Sequence, residues 1–129
     1  MPDFHAGVRS RLISAATAAG SRVSWVDRPQ LSALPAVTLT TVSDGRPQHL
    51  KGLDGARGTR VQIDCWAATY SVALTLARAC IAALQPPATV SGKKFGQATI
   101  EGQRDLGEDV TGTFVHRQTI DLTIWHVGD

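Results

Sequence analysis

The sequence predicts an α+β fold, in which an antiparallel or mixed sheet of four or five strands is covered on one face by two helices in a two-layer arrangement. Residues 4–19 and 70–84 carry apolar side chains at helical spacing. Residues 60–66 and 113–126 instead alternate apolar and polar side chains, which is typical of strands with one covered face. A chain of 129 residues is the size of one ordinary domain, so we expect a single domain over residues 1–129.

The first predicted helix, residues 4–19, has an apolar face and ends at Gly20, with Arg11 outside that face. A short strand over residues 24–26 follows it. The β-branched segment at residues 36–43 predicts the next strand. These elements account for the chain up to its first long loop.

A long basic loop, residues 44–58, follows the strand and reads DGRPQHLKGLDGARG. It is too long and too rich in turn-forming residues for a tight hairpin. We expect it to project as an arm or to contain a second small hairpin that turns at Asp54-Gly55. Its basic residues are Arg46, Lys51 and Arg57.

The join between the strand at 60–66 and the helix at 70–84 is the most informative stretch of the chain. The strand directs Val61, Ile63 and Cys65 inward, and the helix stops before Pro86-Pro87. The predicted inward stripe of the helix is Val72, Leu76, Ala79 or Cys80, and Ala83 or Leu84. The apolar face is unusually broad, so either the sheet covers it over a wide arc or a second subunit covers the rest, and we expect some contribution from both. The turn WAAT offers no nucleophile except Thr69, which makes the join architecture and not an active-site elbow.

The last strands are predicted at residues 97–106 and 113–126, with an acidic turn between them. Ile120, Leu122 and Ile124 point inward in the second of these strands. The acidic segment over residues 105–112 contains no base, and its acidic residues are Asp105, Glu108 and Asp109. Two segments of the chain therefore carry opposite signs.

The residue pattern does not indicate a catalytic, cofactor-binding or metal-binding site. Cys65 and Cys80 have no histidine at ligand spacing, so we expect two reduced core thiols and no zinc site. None of the glycines has the spacing of a phosphate loop, and Lys93-Lys94 is typical of a solvated turn. The net charge of +2 is too small to indicate nucleic-acid binding. Trp66 and Trp125 lie at strand ends on the outward face, where they serve either rim packing or a subunit interface.

The order of these segments resembles that of the small tail-completion or tail terminator proteins of long-tailed phages, prophages and gene transfer agents. The similarity covers about residues 10–126. Its most specific part is VQIDCWAATYSVALTLA, residues 61–77, which is similar to the family's strand, Trp-Ala pair, Tyr and alanine-rich helix. The final strand ending in Trp125 supports it, whereas Ala36 stands where an aromatic is common in such proteins.

The resemblance implies a structural virion protein and no enzyme: a tail-terminator-like domain that assembles as a hexameric ring on the last ring of the tail tube. Such a ring stops tube growth and presents a surface to the head-side connector, and DNA passes through it. The implied partners are further copies of the chain, the tail tube protein, the connector and the passing DNA. The implied place is the neck end of the virion tail, after assembly in the host cytoplasm.

Two assignments of the basic loop stay open within this interpretation: it pairs with the acidic segment of a neighbouring subunit, or it faces the lumen of the ring. Two other classes of function also stay open. A small ligand-binding or enzymatic α+β domain of unknown substrate would show a thermal shift with its ligand. A nucleic-acid-binding module would show salt-dependent affinity for DNA. The N-terminus lacks the pattern of a secretory signal, and no stretch is long enough to span a bilayer, so we expect an intracellular protein without a membrane partner.

Overall fold

A computed structural model describes residues 4–15, 19–20, 22–26, 34–44, 48–49, 52–53, 56–90, 92–110 and 113–127. Over these residues the fold is α+β, with two helices and a strongly curled mixed sheet. The elements are α1 (Phe4–Ser14), β1 (Val23–Trp25), β2 (Ala36–Asp44), β3 (Gln48–His49), β4 (Gly52–Leu53), β5 (Ala56–Ala67), α2 (Tyr70–Leu84), β6 (Ala88–Val90), β7 (Lys93–Phe95), β8 (Thr99–Val110) and β9 (Thr113–Val127).

The main sheet of the described residues has seven strands in the order β1-β2-β5-β9-β7-β6, with β8 also paired to β9. Among the described strands, β1 and β2 pair in parallel and all other pairs are antiparallel. The prediction of four or five strands was wrong, because the three-residue strands β6 and β7 extend the sheet through a segment too short to show a period. The two-layer arrangement stays a prediction, since the sheet curls strongly.

The core lies between the helices and the inward face of the long strands. As predicted, β5 directs Val61, Ile63 and Cys65 into it, and all three are fully buried. The inward residues of β9 are buried as well: Ile120, Leu122 and Ile124. These side chains form one apolar cluster with residues of both helices. The period of two in the sequence therefore specifies the correct face of both strands.

Helix α2 has the predicted bounds, Tyr70 to Leu84. It begins where the Thr69 side chain accepts a hydrogen bond from the Val72 amide at 3.3 Å, and it ends at Gln85, before Pro86-Pro87. Its predicted inward stripe was partly wrong, because Val72 is exposed. The buried residues are Ala73, Leu76, Ala77, Cys80 and Leu84. Val72 comes one residue before this stripe, which places it about 100° around the helix from Ala73.

Helix α1 ends at Ser14, earlier than the predicted residue 19. The amide of Arg22 donates to the carbonyl of Ala19, so the chain has already turned toward β1 there. Arg11, expected outside the apolar face, is buried. Its guanidinium donates to the carbonyl oxygens of Ala83 and Pro86, at 3.0 and 2.6 Å, and these belong to the end of α2. The carbonyls that a helix end leaves without intrahelical partners explain why a cation is buried at this point.

Part of each charged segment belongs to a long strand. Strand β5 begins at Ala56 and therefore includes Arg57, and β8 continues to Val110 through the predicted acidic turn. Strand β9 is 15 residues long and offers hydrogen-bonding partners to both neighbours along this extra length. Within the basic loop, β3 and β4 pair as a small antiparallel hairpin, and the connection between them comes before the predicted turn position. Asp54-Gly55 lies outside the described residues.

Candidate assembly surfaces

The charged candidate residues that the structure describes are on β5 and β8, and they flank opposite ends of β9. Arg57 is the cross-strand partner of His126, whereas Glu108 is the partner of Val115. These partners are eleven positions apart along β9, which is about 36 Å at ~3.3 Å per residue. The other acidic candidates are on the same strand as Glu108: Asp105 and Asp109. The other basic candidates, Arg46 and Lys51, lie outside the described residues.

Asp105 is an exposed residue that is nevertheless fixed in position. Its carboxylate accepts hydrogen bonds from the Tyr70 hydroxyl, at 3.4 and 3.5 Å, and from the Gln118 side-chain amide. Gln118 in turn accepts from Gln103 at 2.9 Å. The carboxylate therefore stands beside the first residue of α2, on the helix-facing side of the β8–β9 hairpin.

Three aromatic side chains on the same side of this hairpin form a row that we call the hairpin patch: Tyr70, His116 and Phe114. The ring centroids of Phe114 and His116 are 4.8 Å apart, and those of His116 and Tyr70 are 6.2 Å apart. Phe114 has 52% of its surface exposed. Its ring lies over Gly107, where a Cβ atom would come within 2.8 Å of the ring's Cε1. Sequence analysis missed this patch, although Phe114 has the same strand parity as the inward residues of β9.

The opposite end of β9 carries a second exposed group, which we call the strand-end patch: Trp125, Val127 and Lys94. Trp125 is 46% exposed, and its indole covers Gly58, where a Cβ atom would be 2.8 Å from Cζ3. Lys94 comes just before Phe95, which pairs with His126, and because Phe95 and His126 are both buried, alternation places the exposed Lys94 on the outward face, as it does Trp125 and Val127. The patch thus combines a fixed indole with an ammonium group.

Trp66, the other tryptophan candidate, is engaged within its own chain. Only 9% of its surface is exposed. Its indole Nε1 donates to the Thr38 hydroxyl at 3.1 Å, and the Arg117 guanidinium lies 4.9 Å from its ring centroid. This geometry favours packing over a subunit contact for Trp66.

A buried polar network continues from Arg117 across the outward face of the sheet. Asp64 is 5% exposed and accepts hydrogen bonds from the Thr119 hydroxyl at 2.7 Å and from Gln62 at 3.1 Å. The Arg117 Nε lies 3.8 Å from the same carboxylate. The outward face of β5 and β9, which the alternating pattern suggests is open to water or a partner, is therefore partly closed by its own side chains.

The two cysteines are free and buried, as predicted, with their Sγ atoms 3.8 Å apart. Their shared hydrogen bond, followed by burial, raises the pKa of Cys65 well above its ordinary value of 9.0, so the reactive thiolate is scarce at neutral pH.

The described part of the chain contains no group of three or more His, Cys, Asp or Glu side chains able to hold a metal ion. It also contains no helix that is long and apolar enough to cross a membrane.

Comparison with known proteins relates this arrangement to a phage component. No curated protein matches the chain by sequence. Twenty-two chains of solved structures match its fold. One of them comes from the virion of a native gene transfer agent (GTA) particle: the TM-score is 0.65, the identity 17%, and the match covers 97% of this chain and 95% of that one. The family model described as tail completion protein gp17 matches residues 7–125, which include all of β5 and α2 and most of β9. The chain therefore belongs to the tail completion protein gp17 family, which is a family of structural phage tail proteins and not of enzymes.

Proposed function

We propose that this protein caps the end of a phage-type tail tube as a ring, stops tube growth and forms part of the head-tail joining interface. The observation that carries the proposal is the family match over residues 7–125. We further propose that residues 1–129 act as one tail-terminator-like domain and that the ring is a hexamer. A cyclic assembly suits a tube of cyclic symmetry, because every tube subunit then meets an equivalent partner.

The proposed partners follow from that position. One face of the ring contacts the tail tube protein and the other contacts the head-side connector, while DNA passes through the opening during delivery. The protein then acts at the neck end of the virion tail, after assembly in the host cytoplasm. The exposed apolar side chains at both ends of β9 support an assembling protein, since single large aromatic anchors are typical of interfaces.

The charged and tryptophan candidates are proposed as subunit-interface or lumen residues. Arg57 and the acidic residues of β8 lie at opposite ends of β9, an arrangement that suits contacts between neighbouring subunits. Trp125 fits the same role because it is exposed, whereas Trp66 supports the interface only through its packing. The complete candidate set is Arg46, Lys51, Arg57, Asp105, Glu108, Asp109, Trp66 and Trp125.

The direct test of capping is tube assembly with and without this protein. We expect tail tube protein from the same phage or element to form tubes of variable length alone, and added cap protein to halt their growth. Negative-stain images should show a ring at one tube end only, and light scattering should give the mass of the ring. Tubes that keep growing with saturating protein would overturn the proposal. A monomer that never binds tubes, but melts at a higher temperature with a small ligand, would favour the ligand-binding alternative.

A further inference from the structure

We propose that neighbouring copies of this chain contact each other head to tail, with the hairpin patch of one copy packed on the strand-end patch of the next. The inference rests on the proposed ring and names the residues that hold it together. The hairpin patch consists of Tyr70, His116 and Phe114, and the strand-end patch of Trp125, Val127 and Lys94.

The hairpin patch exists because α2 is much shorter than the strands it covers. Both α2 and β9 have 15 residues. A helix of that size is about 22 Å long, whereas a strand is about 50 Å long. The inward face of β9 is therefore covered by α2 up to His116, which contacts Tyr70 at the start of the helix. Phe114 lies one step further out, on the same face, and is 52% exposed.

Both patches present an aromatic ring that is already fixed in the free chain. Phe114 lies on Gly107 and against His116, and Trp125 lies on Gly58. A side chain held in one position loses little conformational entropy when a partner covers it. Fixed, half-exposed aromatic side chains are the residues that contribute most of the binding energy in protein interfaces.

The positions of the two patches favour contact between unlike surfaces. Phe114 has the strand parity of the inward residues and Trp125 that of the outward residues, so the patches lie on opposite faces as well as at opposite ends of β9. A patch that met its own copy would give an isologous dimer, which ends assembly at two chains. A contact between two different patches repeats from subunit to subunit and closes into a ring.

Charge complementarity favours a second copy of this chain as the partner that covers each patch. Asp105 accepts from Tyr70 and places an exposed carboxylate beside the hairpin patch, and Lys94 places an exposed ammonium group within the strand-end patch. Head-to-tail contact brings these opposite charges together. Contact between two like patches would instead oppose carboxylate to carboxylate or ammonium to ammonium, which disfavours it.

Site-directed cross-linking tests the geometry of this contact. The variants F114C and W125C place an accessible thiol in each patch, while Cys65 and Cys80 are buried and serve as unreactive background. With a short bismaleimide, in the presence of tail tubes, we expect a cross-linked dimer when the two single variants are mixed. Neither variant should cross-link with itself. The double variant should give a series of cross-linked oligomers that ends at the number of subunits in the ring. Self-cross-linking of a single variant, or rings that give no mixed product, would overturn the head-to-tail contact.

A charge introduced into the patch gives an independent measurement. Phe114→Asp should raise the protein concentration at half-assembly by about tenfold or more. The control is Val42→Asp, because Val42 is also 52% exposed but belongs to neither patch, and it should leave assembly unchanged. Rings of wild-type protein that cap tubes, together with normal assembly of Phe114→Asp, would disprove this contact and leave the proposed function intact. Wild-type protein that neither assembles nor caps tubes would instead disprove the proposed function.

Discussion

Asp64 shows how a single polar residue stabilises the outward face of the sheet. Its carboxylate is buried and accepts from Thr119, whose side chain is fully buried, and Arg117 lies beside it. A buried carboxylate with hydrogen-bond donors on two strands ties β5 to β9. Its loss would leave those donors without an acceptor, and an unsatisfied buried polar group costs more than an absent hydrogen bond.

We predict that Asp64→Ala lowers the free energy of unfolding by about 1–3 kcal/mol, because the buried Thr119 hydroxyl loses its acceptor and the Arg117 guanidinium loses the carboxylate beside it. Asp121→Ala is the matched control: Asp121 is the neighbouring carboxylate on the same face and pairs with the exposed Arg104. An exposed ion pair contributes little, so the control should cost less than about 1 kcal/mol. Urea denaturation followed by circular dichroism measures both, and equal losses would contradict the role given to Asp64.

At the scale of elements, Arg11 joins the two helices. The side chain leaves the last turn of α1, lies over the Phe95 ring with its guanidinium carbon 5.1 Å from the ring centroid, and donates to the carbonyl oxygens of Ala83 in α2 and of Pro86 just after it. Burial lowers the pKa of this guanidinium below its ordinary value. The guanidinium remains charged at neutral pH, and the carbonyl dipoles of the helix end compensate part of its desolvation.

Arg11→Met should reduce the free energy of unfolding by about 1–3 kcal/mol, since it keeps the apolar stem but removes both charged hydrogen bonds. Arg11→Lys should lose less, because one ammonium group can still reach a carbonyl. Arg9→Met is the control within the same helix, because Arg9 is exposed and, among the described residues, its guanidinium donates to the Val23 carbonyl at the edge of the sheet. Thermal melts of the three variants measure the difference. A control variant that melts below Arg11→Met would show that the link between the helices is unimportant.

At the scale of the whole molecule, the length of β9 determines where charge and apolar surface lie. Its register places Arg57 at one end and the acidic residues of β8 at the other. At these strand positions, Arg57 and the acidic residues of β8 cannot contact each other within one chain, but they can do so between neighbouring subunits of a ring. The same separation also permits the lumen assignment, in which the basic loop faces the passing DNA or the tube below.

Charge reversal distinguishes the two assignments. If the segments pair between subunits, Arg46→Glu with Arg57→Glu should block ring formation, because like charges then face each other across the interface. Adding Asp105→Lys with Glu108→Lys should partly restore it, which is the signature of a direct interaction. If the basic loop faces the lumen, the first variant should form rings and fail in tail completion or head joining. Normal rings that also complete infectious particles would exclude both assignments.

Local periodicity explains which parts of the fold were predictable. The bounds of α2 follow from the spacing of apolar residues between Thr69 and Pro86-Pro87, and the inward faces of β5 and β9 follow from the alternation of apolar and polar residues. Both patterns depend only on residues close together in the sequence. The family resemblance carried by residues 61–77 is likewise a property of one continuous stretch. The charge segregation between the basic and acidic segments is also visible in the sequence alone.

Features that depend on contacts between residues far apart in the sequence were determined only by the tertiary structure. Whether residues 105–110 form a turn or a strand depends on β9, which supplies the hydrogen bonds that keep β8 extended. Arg11 is buried because the end of α2, more than seventy residues away, presents free carbonyls to it. The hairpin patch arises from the difference in length between a helix and a strand of equal residue number. That difference becomes an exposed aromatic surface only when the two elements pack together, so the sequence determined the elements and their faces, and tertiary packing decided which of those faces remained uncovered.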